Sequence, residues 1–398
     1  MKRSLSLTII ACFFALLVVG QEKETTPPAG YQFSPIKELK ITPVKDQNRS
    51  GTCWSFSTVA FLESELLRMG KPEVDLSEMW AVRYAYSDKA TKFVRLQGGL
   101  NFGGGGSFAD VIYVLRNYGY VPEVAYSGLQ YGQDKHVHGE LDALLKDYVD
   151  GVIKNPNKQL STAWHKGFDG ILDAYLGPVP EKFTYNGKEY SPKSFGQSLG
   201  LNPDDYISLT SYTHHPFYSK FILEVPDNWI WEESYNLPLE DLKRVFSASI
   251  ENGYTIAWGS DVSEKGFSYN NGVAVVPEAN TSEMNESEKL KWSSKTEKER
   301  QAMLYSFDKP AMEKTITQEL RQKAFDNYQT TDDHGMLIYG SAKDQNGKLY
   351  YMVKNSWGAE GKYNGNFYAS EAFVLYKTMN IMVHKNAIPA DIRKKLGI

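Results

Sequence analysis

The chain has 398 residues, 41% of them hydrophobic, including 8 Trp, 26 Tyr and 19 Phe. That apolar content is enough to offset the entropy of ordering a chain of this length, which excludes both global disorder and a disulfide-held miniprotein. Lys and Arg number 44 against 48 Asp and Glu, a net charge of −4, and no basic run is long enough to track phosphates, so no nucleic-acid partner is expected.

Lys2 and Arg3 precede an apolar stretch from Leu5 to Val19, shorter than the roughly 20 residues of a membrane-spanning helix. The pattern is that of a secretory signal peptide over residues 1–20, cleaved before Gln21. An exported protein, periplasmic or extracellular, with no stable membrane span after cleavage, is the expectation. Residues 21–32, polar and carrying Pro27 and Pro28, read as a flexible linker. Of the 2 Cys, Cys12 lies in the leader, so Cys53 stands alone and closes no internal disulfide.

From Phe33 the chain reads as folded. Val59, Leu62, Leu66 and Met69 recur at steps of three and four, predicting one apolar face of a helix that starts near Ser50 and ends at Gly70, with Cys53 in its first turn. Asp75 to Glu78 predict the cap of a second helix, Gly103 to Gly106 a flexible loop, and Phe108 to Tyr118 a third helix. Leu141 to Asn270 reads as irregular, and Glu278 to Gln301 as a charged, solvated segment. Thr317 to Tyr328 predicts an amphipathic helix. Met336 to Ala342 and Leu349 to Lys354, on either side of Asn346-Gly347, predict a hairpin.

A thiolate rather than a thiol attacks a carbonyl, and the free N–H groups of a helix's first turn stabilise the anion. Cys53 is therefore a candidate nucleophile. Gln47, six residues upstream, is placed to donate to an oxyanion together with the Cys53 backbone N–H. His334 opens the first hairpin strand and Asn355 follows the second. An Asn oxygen accepting from one imidazole nitrogen aims the other at sulfur, and Trp357 is placed to cover that bond. A strict two-residue turn pairs Asn355 with Ile338, four residues from His334, so a bulge or a longer connection is required.

Gln47 to Phe56 (QNRSGTCWSF), Asp333-His334-Gly335 and Lys354-Asn355-Ser356-Trp357-Gly358 together resemble the papain-like cysteine peptidases, in the family's order of Cys, His and Asn. Cys53 and His334 are 281 positions apart, against roughly 130 to 150 in compact members. The large insertions this implies, with Tyr175-Leu176-Gly177-Pro178 and Trp258-Gly259-Ser260-Asp261-Val262, resemble the bleomycin hydrolase and aminopeptidase C branch. The resemblance implies an α+β fold of two lobes, one helical and one an antiparallel, β-barrel-like lobe, with a large inserted helical subdomain. It places one peptidase domain over residues 33–398, with insertions at roughly 141–330 and a C-terminal tail at 385–398. It implies aminopeptidase action on short peptides, with Cys53 as nucleophile, His334 as general acid and base, Asn355 as orienter and Gln47 as oxyanion donor. It further implies a homo-oligomer, a hexameric ring, in which the tail enters the cleft and the carboxylate of Ile398 meets the substrate's α-amino group.

Gly105 and Gly106 match the paired glycines that let an extended substrate approach the backbone in such enzymes, and Trp357 joins them as a substrate-side residue. No cofactor is expected. No metal site is expected either, because His136 with His138 and His214 with His215 lack a carboxylate or thiolate partner at ligand spacing. Two alternatives stay open: an endopeptidase whose tail leaves the cleft free, and a non-catalytic peptide-binding protein on the same fold.

Overall fold

The computed structural model describes residues 30–279 and 284–398. The leader at 1–20, and the linker as far as residue 29, lie outside the described residues. Packing reaches back to Gly30, whose N–H donates to the Asp308 carbonyl, and Tyr31 is buried, so the fold starts slightly before Phe33.

One lobe is built from helices α1 (Cys53–Arg68), α2 (Glu78–Arg95), α3 (Phe108–Tyr118), α4 (Gly139–Ile153) and α5 (Ala163–Leu176). Ser77 caps α2 by accepting the Trp80 N–H at 3.0 Å, and Ser107 with Asp110 forms a reciprocal capping box at the start of α3. The single apolar face expected of α1 is instead burial all round: every residue from Trp54 to Leu66 is buried, while Met69 is 41% exposed. The buried hydroxyls are tolerated because they bond inside the helix. Ser57 donates to the Cys53 carbonyl at 2.8 Å, Thr58 to Trp54 at 2.7 Å and Ser64 to Ala60 at 2.7 Å.

The segment read as irregular, Leu141 to Asn270, contains most of α4, all of α5 and several strands. Its helices carry a narrow helical stripe, one buried apolar residue every four: Leu141, Leu145 and Val149 in α4, and Phe168, Leu172 and Leu176 in α5, a signal that the irregular reading overlooks. Of the two, α5 is tied to α2 by Arg83, which donates to Asp173 at 2.8 Å and Asp169 at 3.1 Å.

The second lobe rests on an 11-stranded sheet. Its central strands lie in the order Tyr206–Thr210, Thr378–His384, Ile256–Ser260, His334–Asp344, Leu349–Lys354 and Asn366–Ser370. Thus part of the chain between 141 and 330 feeds the sheet as well as the helices. The sheet is mixed and does not close into a barrel: Tyr206–Thr210 pairs in parallel with Glu233–Asn236, and the end strands, Lys220–Ile222 and Phe267–Ser268, each pair on one side only and not with each other.

The required hairpin irregularity is present. Asp344 organises a longer turn, its carboxylate accepting the N–H groups of Asn346 and Lys348 at 2.9 Å, and the register shifts again between Ile338 and Gly340. Together these pair Leu337 with Lys354. Continuing that register sets Asn355 two residues from His334 instead of four, and residues two apart share a face.

Beyond the sheet, the Ala390–Leu396 helix buries Ile392 and Leu396 in the sheet-lobe core and packs on the Leu239–Glu251 helix, where Arg244 pairs with Asp391 at 2.8 Å and Lys395 with Asp241 at 3.1 Å. Among the described residues, no helix is long and apolar enough to cross a membrane.

Candidate active site

Two cores meet at this site. Cys53 is the first residue of α1, which belongs to the helical-lobe core, and His334 is the first residue of its strand, paired with Ser260 in the sheet lobe. Gly335 lets the two elements touch: a Cβ there would stand 2.6 Å from Ser57 Oγ and 3.3 Å from the Cys53 carbonyl oxygen. Cys53, Gly106, His334 and Gly335 line one narrow cavity of about 50 Å³, with room for a few waters or one small group and not for a peptide running through.

His334 Nε2 lies 2.7 Å from Asn355 Oδ1. The same oxygen accepts the Ser356 backbone N–H at 2.8 Å, which fixes the orientation of the amide. Nε2 must then carry the proton it donates, leaving Nδ1 as the basic nitrogen. Trp357 stacks on the imidazole, with ring centroids 4.7 Å apart and planes at 30°. It covers the His334–Asn355 pair as expected and is not among the residues lining the cavity. Asn355 Nδ2 is buried and has no acceptor among the described residues.

Burial opposes the charged form of both reactive groups. Burial pushes the Cys53 thiol up to about 12; the N–H groups of Gly335 and Trp54 oppose this, and the nearby carboxylates of Asp332 and Asp227 add to it. Burial also pushes His334 down to about 4, against the bond to Asn355. Among the described residues no hydrogen bond joins the thiol to the imidazole.

Gln47 is buried and pinned: its Oε1 accepts the Ser356 hydroxyl at 2.6 Å and its Nε2 donates to the Ser50 carbonyl at 2.8 Å. One amide hydrogen is left without a protein acceptor among the described residues. Gly103 to Gly106 are not the loose loop predicted. Trp54 Nε1 and Tyr86 Oη donate to the Gly104 carbonyl at 3.0 and 3.1 Å, and the buried Lys89 ammonium donates to the Gly103 and Gly105 carbonyls. Gly106 is packed against Trp54, whose ring would lie 2.8 Å from a Cβ.

Ile398 is not brought to this cavity. Its N–H bonds the Arg393 carbonyl at the end of a helix held on the sheet lobe by the Arg244–Asp391 and Lys395–Asp241 pairs, and no residue of the 385–398 tail lines the cavity. The cavity is lined instead by the loop running from Leu223 to Glu232, with Asp227, which sequence reasoning did not single out, and by Asp332, which sequence reasoning sets aside because Asn355 accounts better for His334. Val225-Pro226-Asp227-Asn228 carries an ordinary turn signal and nothing that points to a site 174 positions back at Cys53.

His214 and His215, read as lacking a carboxylate, have one in space: Glu224 oxygens lie 2.9 and 3.3 Å from their Nε2 atoms. Gln322 Oε1 accepts the Thr213 N–H at 2.6 Å, so the amide nitrogen faces His214 Nδ1 at 3.1 Å and Nε2 is the donor to Glu224. The ligand atoms of the three side chains lie within 4.8 Å of one another, so the carboxylate that the sequence spacing lacks is supplied in space.

Residues 31–137 match the papain family cysteine protease model, and residues 275–397 match that of the peptidase C1-like family. The chain is 20% identical over 401 residues to Aminopeptidase C of Lactococcus lactis subsp. lactis (strain IL1403), and 22% identical over 397 residues to Aminopeptidase C of Streptococcus thermophilus. Each alignment covers 89% of this chain and 83% of the relative. Cysteine proteinase 1, mitochondrial, of Saccharomyces cerevisiae (strain JAY291) is 20% identical over 410 residues, covering 91% and 79%. The crystal structure of PepW from Lactobacillus rhamnosis HN001 (DR20) superposes with a TM-score of 0.67 at 19% identity, covering 92% of this chain and 84% of that one.

A thiol at the head of a helix in one lobe, facing a strand-borne imidazole in the other, is the arrangement of the papain-like cysteine peptidases, and the chain belongs to that class. Within it, the chain is similar over most of its length to aminopeptidase C proteins, at 20–22% identity.

Proposed function

We propose that the protein is a cysteine aminopeptidase that removes residues from the N-terminus of short peptides through Cys53, His334 and Asn355. The observation that carries this reading is the bond from His334 Nε2–H to Asn355 Oδ1, which leaves Nδ1 free on the cavity shared with the thiol. The thiol proton passes to Nδ1 as sulfur attacks the scissile carbonyl. The imidazolium then protonates the departing amine, leaving a thioester. Water attacks the thioester, giving its proton to Nδ1, and the acid is released as sulfur recovers its proton. Gln47 and the Cys53 backbone N–H are assigned to the oxyanion. The names of the Lactococcus and Streptococcus relatives support the exopeptidase choice over the endopeptidase alternative.

Export by residues 1–20 and assembly into a homo-oligomer are part of the same proposal, resting on the leader pattern and on the family resemblance. Mass spectrometry of products from a free-amine peptide and its N-acetylated twin tests the activity, with Cys53→Ala as control. Stepwise loss of N-terminal residues from the free peptide alone is expected. Equal internal cleavage of both twins would replace this reading with the endopeptidase, and no Cys53-dependent hydrolysis under reducing conditions would replace it with the binding protein.

A further inference from the structure

The Leu223–Glu232 loop crosses from the sheet lobe to the helical lobe. It leaves the sheet after the Lys220–Ile222 strand, buries Trp229 in the helical-lobe core and returns at Glu233. Asn228 braces it from inside, donating to the Leu223 and Glu232 carbonyls at 3.1 and 3.0 Å and accepting the Glu232 N–H at 3.0 Å. A loop so fastened at both ends and in the middle is a fixed wall of the cavity. At its turn, Asp227 rests on Gly105, where any Cβ would collide with the Asp227 carboxylate. Gly105 is one of the two glycines assigned to pair with extended substrate, so the carboxylate lies across the path such a substrate would take past this point.

The cavity is also short of positive charge. It is lined by Asp227, Glu232, Asp332 and Asp333 and by no Lys or Arg. Asp333 is occupied by the Thr331 hydroxyl at 2.9 Å and the Ser263 N–H at 3.1 Å. Asp227 uses only Oδ1, accepting from Asn101 at 3.2 Å, and Asp332 accepts no hydrogen bond from any described residue. Lys89 stands behind Gly105 and donates to backbone carbonyls; its charge acts on Asp227 through space, and the two form no direct ion pair. Half-buried carboxylates beside a nucleophile, without a protein cation to pair them, suit a ligand that brings the cation.

We infer that Asp227, with Asp332 across the cavity, binds the protonated α-amino group of the substrate peptide, and that the Leu223–Glu232 loop, not the tail ending at Ile398, stops the chain and sets the N-terminal register. The inference rests on the peptidase reading above and names its specificity determinant. An ammonium between the two carboxylates also offsets the smaller, carboxylate part of what opposes a thiolate at Cys53, the larger part being burial.

The test measures kcat/KM for a free-amine peptide and its N-acetylated twin with the parent, Asp227→Asn and Asp332→Asn. Asparagine keeps the size and the bond to Asn101 while removing the charge. The expected result is a fall of about 10- to 100-fold for the free peptide in D227N, so that the preference for the free peptide over the capped twin narrows. An unchanged ratio between the twins in both variants, with Cys53-dependent hydrolysis intact, would overturn this inference and leave the proposed function standing. Absence of Cys53-dependent hydrolysis in the parent would instead remove the proposed function itself. If D227N loses both substrates and its thermal midpoint falls, D332N decides by the same ratio.

Discussion

At the scale of single residues, the oxygen of Asn355 holds the protonation pattern of His334. It accepts from His334 Nε2 and the Ser356 N–H together, so only one tautomer fits. Asn355→Ala removes that constraint, and kcat is expected to fall by about 100-fold with KM little changed; steady-state kinetics with a free-amine peptide checks this. Asp332 gives a prediction in stability. Burial and the neighbouring carboxylates of Asp227 and Asp333 raise its carboxyl to about 7, with the Cys53 thiol also facing it. Between the ordinary carboxylate range and pH 7 the folded state keeps a proton that the unfolded chain releases, so this group's contribution to stability falls as pH rises through that window. Melting curves of the Cys53→Ala protein from pH 4 to 8 are expected to show that slope, and adding Asp332→Asn to flatten it. A charge-balancing ligand acts once Asp332 has ionised: at pH values above 7, an amino-acid amide that occupies the cavity should raise the melting midpoint by mass action.

At the scale of elements, the site depends on how closely α1 approaches the His334–Asp344 strand. Gly335 is the contact. In Gly335→Ala the added methyl meets Ser57 Oγ at 2.6 Å and the Cys53 carbonyl at 3.3 Å, so helix and strand must part. A destabilisation of about 1–3 kcal/mol is expected, with a loss of activity larger than the loss of folded protein, because Cys53 moves relative to the imidazole. Denaturant titration and kinetics on the same preparation separate the two effects. The hairpin shows how an element resolves a conflict in its own sequence. The Asn346-Gly347 signal by itself places Asn355 against the wrong residue, and the Asp344-centred turn with the shift before Gly340 corrects the register by two.

At the scale of the whole molecule, the Ala390–Leu396 helix and the Leu223–Glu232 loop divide tasks that the family resemblance gave to the tail alone. The helix is bound to the sheet lobe through Ile392, Leu396 and two ion pairs. The loop closes the cavity between the lobes. Deleting Gly397 and Ile398 is therefore expected to leave the N-terminal register of cleavage unchanged by mass spectrometry. Deleting from Leu396 onward removes a buried side chain and is expected to lower stability by about 2 kcal/mol without creating internal cuts. Internal cleavage by the shorter protein would return the register to the tail.

Much of this protein was legible in the chain itself. The span of α3, the Ser77 cap, the two hairpin strands and the Cys, His and Asn positions all follow from signals that act over a few residues: caps, periodicity and short motifs. The tertiary structure decided what those residues face. Trp229 buried in the opposite lobe carries Asp227 onto Gly105, α1 is enclosed on all sides, and the thiol's state is set by burial and by carboxylates 174 and 279 positions away in sequence. Local propensity is a short-range property of the backbone, whereas burial and electrostatic fields sum over every segment that packing brings near.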